Sequence, residues 1–183
     1  TAQGCEEAQS RIEHVMAKLG LKLHPQKTRR VELTDGLEGF DFLGCHLRKR
    51  MSGRLWEQQR LKRYYLQRWP GRKAMNRVRE RVRELTPRRR CHQDVRSVIA
   101  ELNPVLRGWG QYFGTGNAAN HFLDVDAYVE KRLHSLRVKR AGRSLRAGQT
   151  QHWDRDYFES LGLHRLRGTI RYPGKPPGNG RPA

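Results

Sequence analysis

The second half of the chain is constrained most strongly by apolar residues that recur at the spacing of an α-helix. In residues 71–85 they are Ala74, Met75, Val78, Val82 and Leu85, and in residues 120–140 they are Phe122, Val125, Val129, Leu133 and Leu136. Two shorter stripes lie between them, Val95, Val98, Ile99 and Leu102, and then Leu106, Trp109 and Phe113. Because such a stripe is normally buried against a neighbouring element, the pattern predicts three or four helices packed as a bundle.

Local signals divide this region further. Asn103 and Pro104 offer an N-cap followed by proline at the first helical position, which predicts that a new helix begins there. After residue 141 the periodicity is lost, apart from a short element around residues 157–161. Residues 173–183 are rich in proline and glycine, and we expect this tail to be disordered.

The first third of the chain predicts a helix followed by a β-hairpin. Residues 5–19 carry the helical stripe Ala8, Ile12, Val15, Met16 and Leu19. Residues 21–33 look extended, residues 40–48 are typical of a second strand, and residues 51–56 continue it with a possible turn at 52–53. The apolar face of the second strand changes around Gly44. Either burial of the strand on both faces or a bulge at Gly44 would explain this change. Strands and helices together predict an α+β fold.

The net charge indicates the class of partner. Lysine and arginine number 38 against 18 acidic residues, so the formal net charge is +20. Basic side chains spread along the chain release condensed counterions when they neutralise phosphates, which favours nucleic acid as the partner. A membrane surface would attract the same charge, but no apolar stretch approaches the ~20 residues of a spanning helix. We therefore expect a nucleic-acid-binding protein with no membrane partner.

The cysteines argue against a zinc site or a disulfide framework. Cys5, Cys45 and Cys91 lie far apart, and none belongs to a C-x-x-C pair. We expect no metal and no cofactor in this chain, and a reducing cytoplasm as its location. Since a helix begins almost directly after Thr1, we also expect the chain to have been cut from a longer protein.

Two pairs of aspartates have the one-residue spacing that a metal site can use, Asp124 with Asp126 and Asp154 with Asp156. Helix N-cap and first-turn roles explain both pairs more simply. The histidines are dispersed and form no H-x-x-x-H pair, so an endonuclease centre is not indicated.

Three segments carry a family resemblance in their order and spacing. They are LGLKLHPQKTR (Leu19 to Arg29), GFDFLGCHLRKR (Gly39 to Arg50) and LNPVLRGWGQYF (Leu102 to Phe113). Together they resemble the last palm blocks and the thumb of bacterial group II intron reverse transcriptases. The resemblance implies that residues 1–56 are the end of a palm with a primer-grip-like hairpin. It further implies that residues 57–141 are the helical thumb, or maturase domain X, and that residues 142–172 are a basic C-terminal extension.

The resemblance also implies an activity that this chain should not perform alone. The family's polymerases hold two catalytic metal ions with aspartates that include a Y-x-D-D motif, and no Asp-Asp pair occurs in this sequence. Phosphoryl transfer depends on such a metal pair. We therefore expect no catalytic residue in this chain, with Mg²⁺ implied only for a full-length polymerase.

Two candidate sites follow from the resemblance near the predicted strands. Lys27 lies where the family's polymerases place a lysine near the phosphates of the incoming nucleotide, and a solvated loop lysine is the alternative. Phe42, Leu43 and Gly44 match the family's primer grip, whose backbone lies close to the primer end. The alternative is a core strand with a bulge at Gly44, and we expect Phe40 and Phe42 to be buried.

The candidate RNA-binding residues are basic side chains of the helical region. They are Arg72, Lys73, Arg77, Arg81, Arg83, Arg107, Lys131, Arg132, Arg137, Lys139 and Arg140, with Arg88, Arg89 and Arg90 beside the first group. Acidic neighbours are too few to balance so many cations, whereas RNA phosphates would balance them. A solvated charged face is the alternative. We expect Trp109 and Phe113 to pack in the bundle rather than to stack on bases.

These observations predict the RNA-binding maturase portion of a group II intron-encoded protein, which assists splicing of its intron RNA. In the full-length protein this portion would grip an RNA or DNA template-primer for RNA-directed DNA synthesis, beside the remainder of the palm and the fingers. Two alternatives stay open. One is an inactive fragment or remnant of an RNA-directed DNA polymerase, and the other is a generic basic protein that binds nucleic acid.

Overall fold

The computed structural model describes residues 2–142, 145–146 and 148–171, and within them the fold is α+β, as predicted. The strands are β1 (Gly39–Phe42), β2 (Cys45–Met51) and β3 (Tyr64–Pro70), and the helices are α1 (Ala2–Lys18), α2 (Gly53–Gln59), α3 (Arg72–Leu85), α4 (Val95–Phe113), α5 (Ala119–Ala141) and α6 (Arg155–Ser160). The strands form one antiparallel sheet in the order β1, β2, β3. The predicted disordered tail, residues 173–183, lies outside the described residues.

The hairpin lies inside the segment that was predicted to be one strand. The chain reverses at Leu43 and Gly44, whose φ angles are 46° and 77°, and Phe42 then pairs with Cys45. Two consecutive positive φ angles produce a tight turn whose twist matches that of the flanking strands. The change of apolar face around Gly44 therefore marks a chain reversal, so a bulge and burial on both faces were both wrong. Pairing with residues 21–33 was also wrong, because those residues form no strand.

The third strand and the helix before it were not predicted. Residues 51–56 were expected to continue the second strand, but the Ser52 hydroxyl accepts a hydrogen bond from the Leu55 amide and so caps α2. Strand β3 then pairs antiparallel with β2 and places Pro70 opposite Cys45. Tyr65 and Leu66 of β3 are exposed, so this edge strand lacks the clear alternation of apolar and polar residues that predicts strands.

Helices α3, α4 and α5 pack as a bundle, as the apolar stripes predicted. Its largest fully buried side chains are Phe122, Phe158, Ile99, Leu102, Leu106, Leu133, Leu166, Val82, Val98, Val125 and Val129. Both α3 and α5 agree with their predicted bounds to within a residue or two. The five residues predicted to face inward from α5 are all buried.

Helix α4 runs without interruption through Pro104, so the predicted new helix at this position was wrong. Leu102 and Leu106 lie on either side of the proline and are both buried in the same core, which holds the two halves in one helix. Asn103 does not cap a helix. Its side chain donates to the Gly162 carbonyl and accepts from the His164 amide, at 2.8 Å each.

The described C-terminal residues fold back onto the bundle. Phe158 and Leu166 are fully buried in its core. Asp126 accepts hydrogen bonds of 3.0 Å from the amides of Leu166 and Arg167. Because α5 begins at Ala119 and has no acidic residue in its first turn, the N-cap or first-turn role predicted for Asp124 and Asp126 was wrong.

The second aspartate pair was interpreted correctly. Asp154 caps α6 by accepting a hydrogen bond from the Tyr157 amide, and Asp156 lies in the first turn of that helix.

The division of the chain at residues 56 and 141 stays a prediction.

Helix α1 is present where the apolar spacing predicted it, but its apolar stripe is largely exposed. Ile12, Val15 and Leu19 leave more than half of their surface open to solvent. The helix is joined to the following segment by Arg30, which donates to Gln9 at 2.9 Å and pairs with Glu6 at 3.1 Å. None of the helices in the described part of the chain is long and apolar enough to cross a membrane.

Candidate nucleic-acid interface

Helix α3 presents an exposed basic face. Its apolar stripe turns Met75, Val78 and Val82 into the bundle, which leaves the intervening basic side chains in solvent. The exposed cations are Arg72, Lys73, Arg77, Arg81 and Arg83. Of these, Arg81 forms an ion pair of 2.8 Å with Glu84, and the other four have no carboxylate partner within the described residues.

The basic turn after α3 divides into free and occupied arginines. Arg88 and Arg89 are exposed in a 3₁₀ helix that spans Arg88–His92. Arg90 instead donates at 2.9 Å to both the Glu101 carboxylate and the Leu85 carbonyl. The hydrogen bond from Arg90 lowers the pKa of Glu101. Arg90 is therefore occupied within the protein.

The basic residues of α5 divide in the same way. Lys131 and Lys139 are exposed and have no acidic partner in the part of the chain that is described. Arg132 is half-buried and binds Thr86 through its hydroxyl, at 3.0 Å, and through its carbonyl. Arg140 is exposed and donates to the Gln93 carbonyl at 3.1 Å.

Arg137 packs between the rings of Trp153 and Tyr157, with its guanidinium carbon 4.8 Å and 5.7 Å from the two ring centroids. Arg137 is half-buried. Because Arg137 and Arg132 both make contacts inside the fold, neither is wholly available to an RNA partner. Binding of RNA stays a prediction for all eleven candidate residues.

The aromatic residues of α4 pack within the bundle, as predicted. Trp109 is half-buried, and its ring centroid lies 4.9 Å from that of Phe113 and 5.4 Å from that of Phe122. Its buried Nε1 atom has no hydrogen-bond partner among the described residues. Arg107, which precedes these rings on the same helix, is exposed.

The tip of the hairpin is apolar and exposed. Phe42 is 58% exposed and Leu43 is 69% exposed, so the expected burial of Phe42 in the core was wrong. The turn is nevertheless fixed against the bundle, because the Gly44 carbonyl accepts a hydrogen bond of 2.8 Å from the amide of Gly71, the N-cap of α3. Its contact with a primer stays a prediction.

Lys27 lies in an exposed turn, and its backbone amide donates a hydrogen bond of 3.0 Å to the His24 carbonyl. It lines an open cavity of about 1250 Å³ between α1, the segment before β1 and the sheet, together with Arg29 and Arg30. A role for Lys27 beside a nucleotide phosphate stays a prediction.

A second open groove lies between the sheet and helices α3 and α5, with a volume of about 640 Å³. Its lining residues include Asp41, His46, Trp69, Arg72, Asn76, Arg79, His121 and Asp124. This groove was not predicted from the sequence, because β3, which carries Trp69, was not predicted. The one local signal was the aromatic-rich stretch YYLQRWP directly before the Arg72 helix.

The described residues hold no group of three or more acidic, histidine or cysteine side chains placed to bind a metal ion. Cys5, Cys45 and Cys91 are all free thiols, and burial raises the pKa of Cys45.

Comparison with known proteins identifies the helical region. Residues 75–155 match the family model of the group II intron, maturase-specific domain. That match begins inside α3, includes α4 and α5, and ends at the first residue of α6. No curated protein matches the chain. The match agrees with the resemblance drawn from the three sequence segments, and the chain therefore contains a group II intron maturase-specific domain.

Proposed function

We propose that this chain is the RNA-binding maturase portion of a group II intron-encoded protein and that it assists splicing by binding the intron RNA. The observation that carries the proposal is the exposed basic face on α3, where Arg72, Lys73, Arg77 and Arg83 have no carboxylate partner among the described residues. The family match over residues 75–155 supports a role with group II introns.

The binding energy comes mainly from phosphate contacts. Unpaired cations on a rigid helix neutralise RNA phosphates without first breaking ion pairs inside the protein, and the released counterions make binding favourable. Further exposed cations without an acidic partner among the described residues are Arg88, Arg89, Lys131 and Lys139. So many available cations suit a folded RNA, with no chemical step performed by the chain itself.

A second role, grip of a template-primer in a full-length reverse transcriptase, rests on the hairpin tip. Phe42 and Leu43 project apolar side chains at the junction between sheet and bundle, and Gly44 is tied to the start of α3. Such a tip supports a contact with a primer end, beside the remainder of a palm and fingers. Magnesium ions would belong to that full-length polymerase, because this sequence has no Asp-Asp pair to hold them.

The test is a binding titration of the purified chain with a group II intron RNA and with an unrelated RNA duplex of equal length. We expect strong binding at low salt and a steep loss between ~50 and ~200 mM salt, since a protein with about six to ten phosphate contacts loses at least about a thousandfold in affinity over this range. A flat salt dependence contradicts the electrostatic mechanism. Equal affinity for both RNAs favours the generic basic protein instead.

A further inference from the structure

The groove between the sheet and helices α3 and α5 combines an aromatic wall with hydrogen-bonding side chains. The rings of His46 and Trp69 lie with centroids 5.1 Å apart, and Arg50 covers Trp69 at 5.4 Å. The ring of His46 is held by a contact of 2.7 Å between its Nδ1 atom and the Asp41 carboxylate. These contacts fix the sheet side of the groove.

The α3 side of the groove carries Arg72, Asn76 and Arg79. Their spacing of four and then three residues places them on one face of the helix, away from Arg77. Arg79 is half-buried, yet it has no ion pair and no hydrogen bond within the described residues. Its guanidinium is therefore available to an acceptor on a ligand.

The α5 side of the groove is lined by His121 and Asp124. The Nδ1 atom of His121 is buried and makes no hydrogen bond within the described chain. Burial lowers the pKa of His121. The Asp124 carboxylate acts to raise that pKa, whereas the charges of Arg50 and Arg79 lower it further. The neutral form of the His121 ring is therefore favoured. A neutral imidazole offers one donor and one acceptor.

The mixture of groups in the groove fits a nucleotide better than an isolated phosphate. Asp41 and Asp124 would repel a free anion, whereas Asp124 and Asn76 can accept or donate at the edge of a base while Arg72 and Arg79 meet its phosphate. The volume of about 640 Å³ falls within the range of ligand pockets, which is roughly 300–1,000 Å³. In a duplex the Watson–Crick edges are paired and the base faces are stacked, so only an unpaired nucleotide has a base face free to lie against an aromatic wall.

We infer that this groove binds one unpaired nucleotide of an RNA strand, with its base against the wall of Trp69 and His46 and its phosphate at Arg72 and Arg79. The inference rests on the proposed RNA-binding function and adds a preference for single-stranded RNA, which the basic face of α3 alone does not supply.

The test follows tryptophan fluorescence while the folded chain is titrated with a short mixed-sequence RNA, either single-stranded or as the matching duplex. We expect the single strand to change the emission more than the duplex does, and Trp69→Phe to remove that difference. Arg79→Gln should weaken single-strand binding by about tenfold, the scale of one hydrogen bond to a charged group, and duplex binding much less. The matched control is Arg77→Gln, which removes the same charge from the same helix outside the groove and should weaken both RNAs alike.

The outcomes separate this inference from the proposed function. If RNA binds but the Trp69 signal does not respond, or if Arg79→Gln and Arg77→Gln lower both affinities equally, then the groove is not a nucleotide site although the basic face still binds RNA. If neither RNA binds at low salt, the proposed function fails and the inference fails with it. Thermal melting of each variant shows that it remains folded during the titration.

Discussion

The hydroxyl of Tyr112 donates a hydrogen bond of 2.8 Å to the carbonyl of Leu43, which lies 69 residues earlier in the chain. This contact joins the C-terminal end of α4 to the turn between β1 and β2. The adjacent Gly44 lies against the bundle as well, because a Cβ atom at this position would be 3.7 Å from the ring of Phe113. The exposed tip at Phe42 and Leu43 is therefore positioned by α4 and α3.

Tyr112→Phe should loosen this junction with a small loss of stability. The variant keeps the ring but removes the hydroxyl, so the cost should be about 0.5–1.5 kcal/mol in the free energy of unfolding. Denaturant unfolding measures this cost, and hydrogen exchange at the turn measures the loosening. Tyr65→Phe is the control, since Tyr65 is exposed on the edge strand. An equal effect of both variants would contradict the role given to the Tyr112 hydroxyl.

Trp109→Ala should destabilise the bundle strongly. The half-buried ring contacts Phe113 and Phe122, and its loss should cost up to about 3 kcal/mol in the free energy of unfolding, the lower end of the range for a fully buried tryptophan. Trp56→Ala provides the comparison, because Trp56 contacts Arg60 and Lys62 outside the bundle core. A folded Trp109→Ala variant of normal stability that has lost RNA binding would mean that Trp109 stacks on bases instead.

Asp126→Ala should release the C-terminal segment from α5. The carboxylate accepts the amides of both Leu166 and Arg167, and hydrogen bonds to a charged group contribute about 2 kcal/mol each in favourable cases. We expect lower stability and faster hydrogen exchange at these two amides. Asp124→Ala, two residues earlier on the same helix, should leave the exchange unchanged. Protection that survives in Asp126→Ala would show that burial of Leu166 alone holds the segment.

Replacing Arg77 and Arg83 with glutamine should weaken RNA binding without unfolding the protein. Both side chains are exposed, so each change should alter stability by less than ~0.5 kcal/mol. The slope of log affinity against log salt should flatten by roughly 0.7–0.9 for each phosphate that the variant no longer neutralises. Arg81→Gln is the matched control, because Arg81 is already engaged by Glu84. If Arg81→Gln changes the salt slope as much, per charge removed, as the Arg77 and Arg83 replacements do, then the ion pair with Glu84 does not keep Arg81 from binding RNA.

Stability should fall as the solution is acidified through the ordinary pKa of histidine, about 6.5. Burial lowers the pKa values of His121 and His164 in the folded chain. The unfolded chain therefore binds more protons just below this pH, so stability is full above it and is lost as the pH falls toward the folded values. Melting temperatures across this range measure the loss, and replacing both histidines with glutamine should reduce it. A melting temperature that rises on acidification would contradict the prediction.

The spacing of apolar residues was sufficient to locate two of the bundle helices, α3 and α5. A helical stripe is a local property, because the 3.6-residue repeat decides which side chains share a face whatever lies opposite them. Helices α3 and α5 therefore followed directly from residues 71–85 and 120–140. The resemblance of three ordered segments likewise indicated the family that the match over residues 75–155 supports.

The tertiary structure decided which of these residues remain available to a partner. Arg132 and Arg77 look equivalent in the sequence, yet Arg132 binds Thr86, 46 residues away, and Arg77 has no carboxylate partner within the described chain. Asn103 and Pro104 carry the local signature of a helix start, but burial of Leu102 and Leu106 in one core kept α4 continuous. Local sequence determines the periodicity of an element, whereas the partners of a polar group and the continuity of a helix depend on residues that only packing brings together.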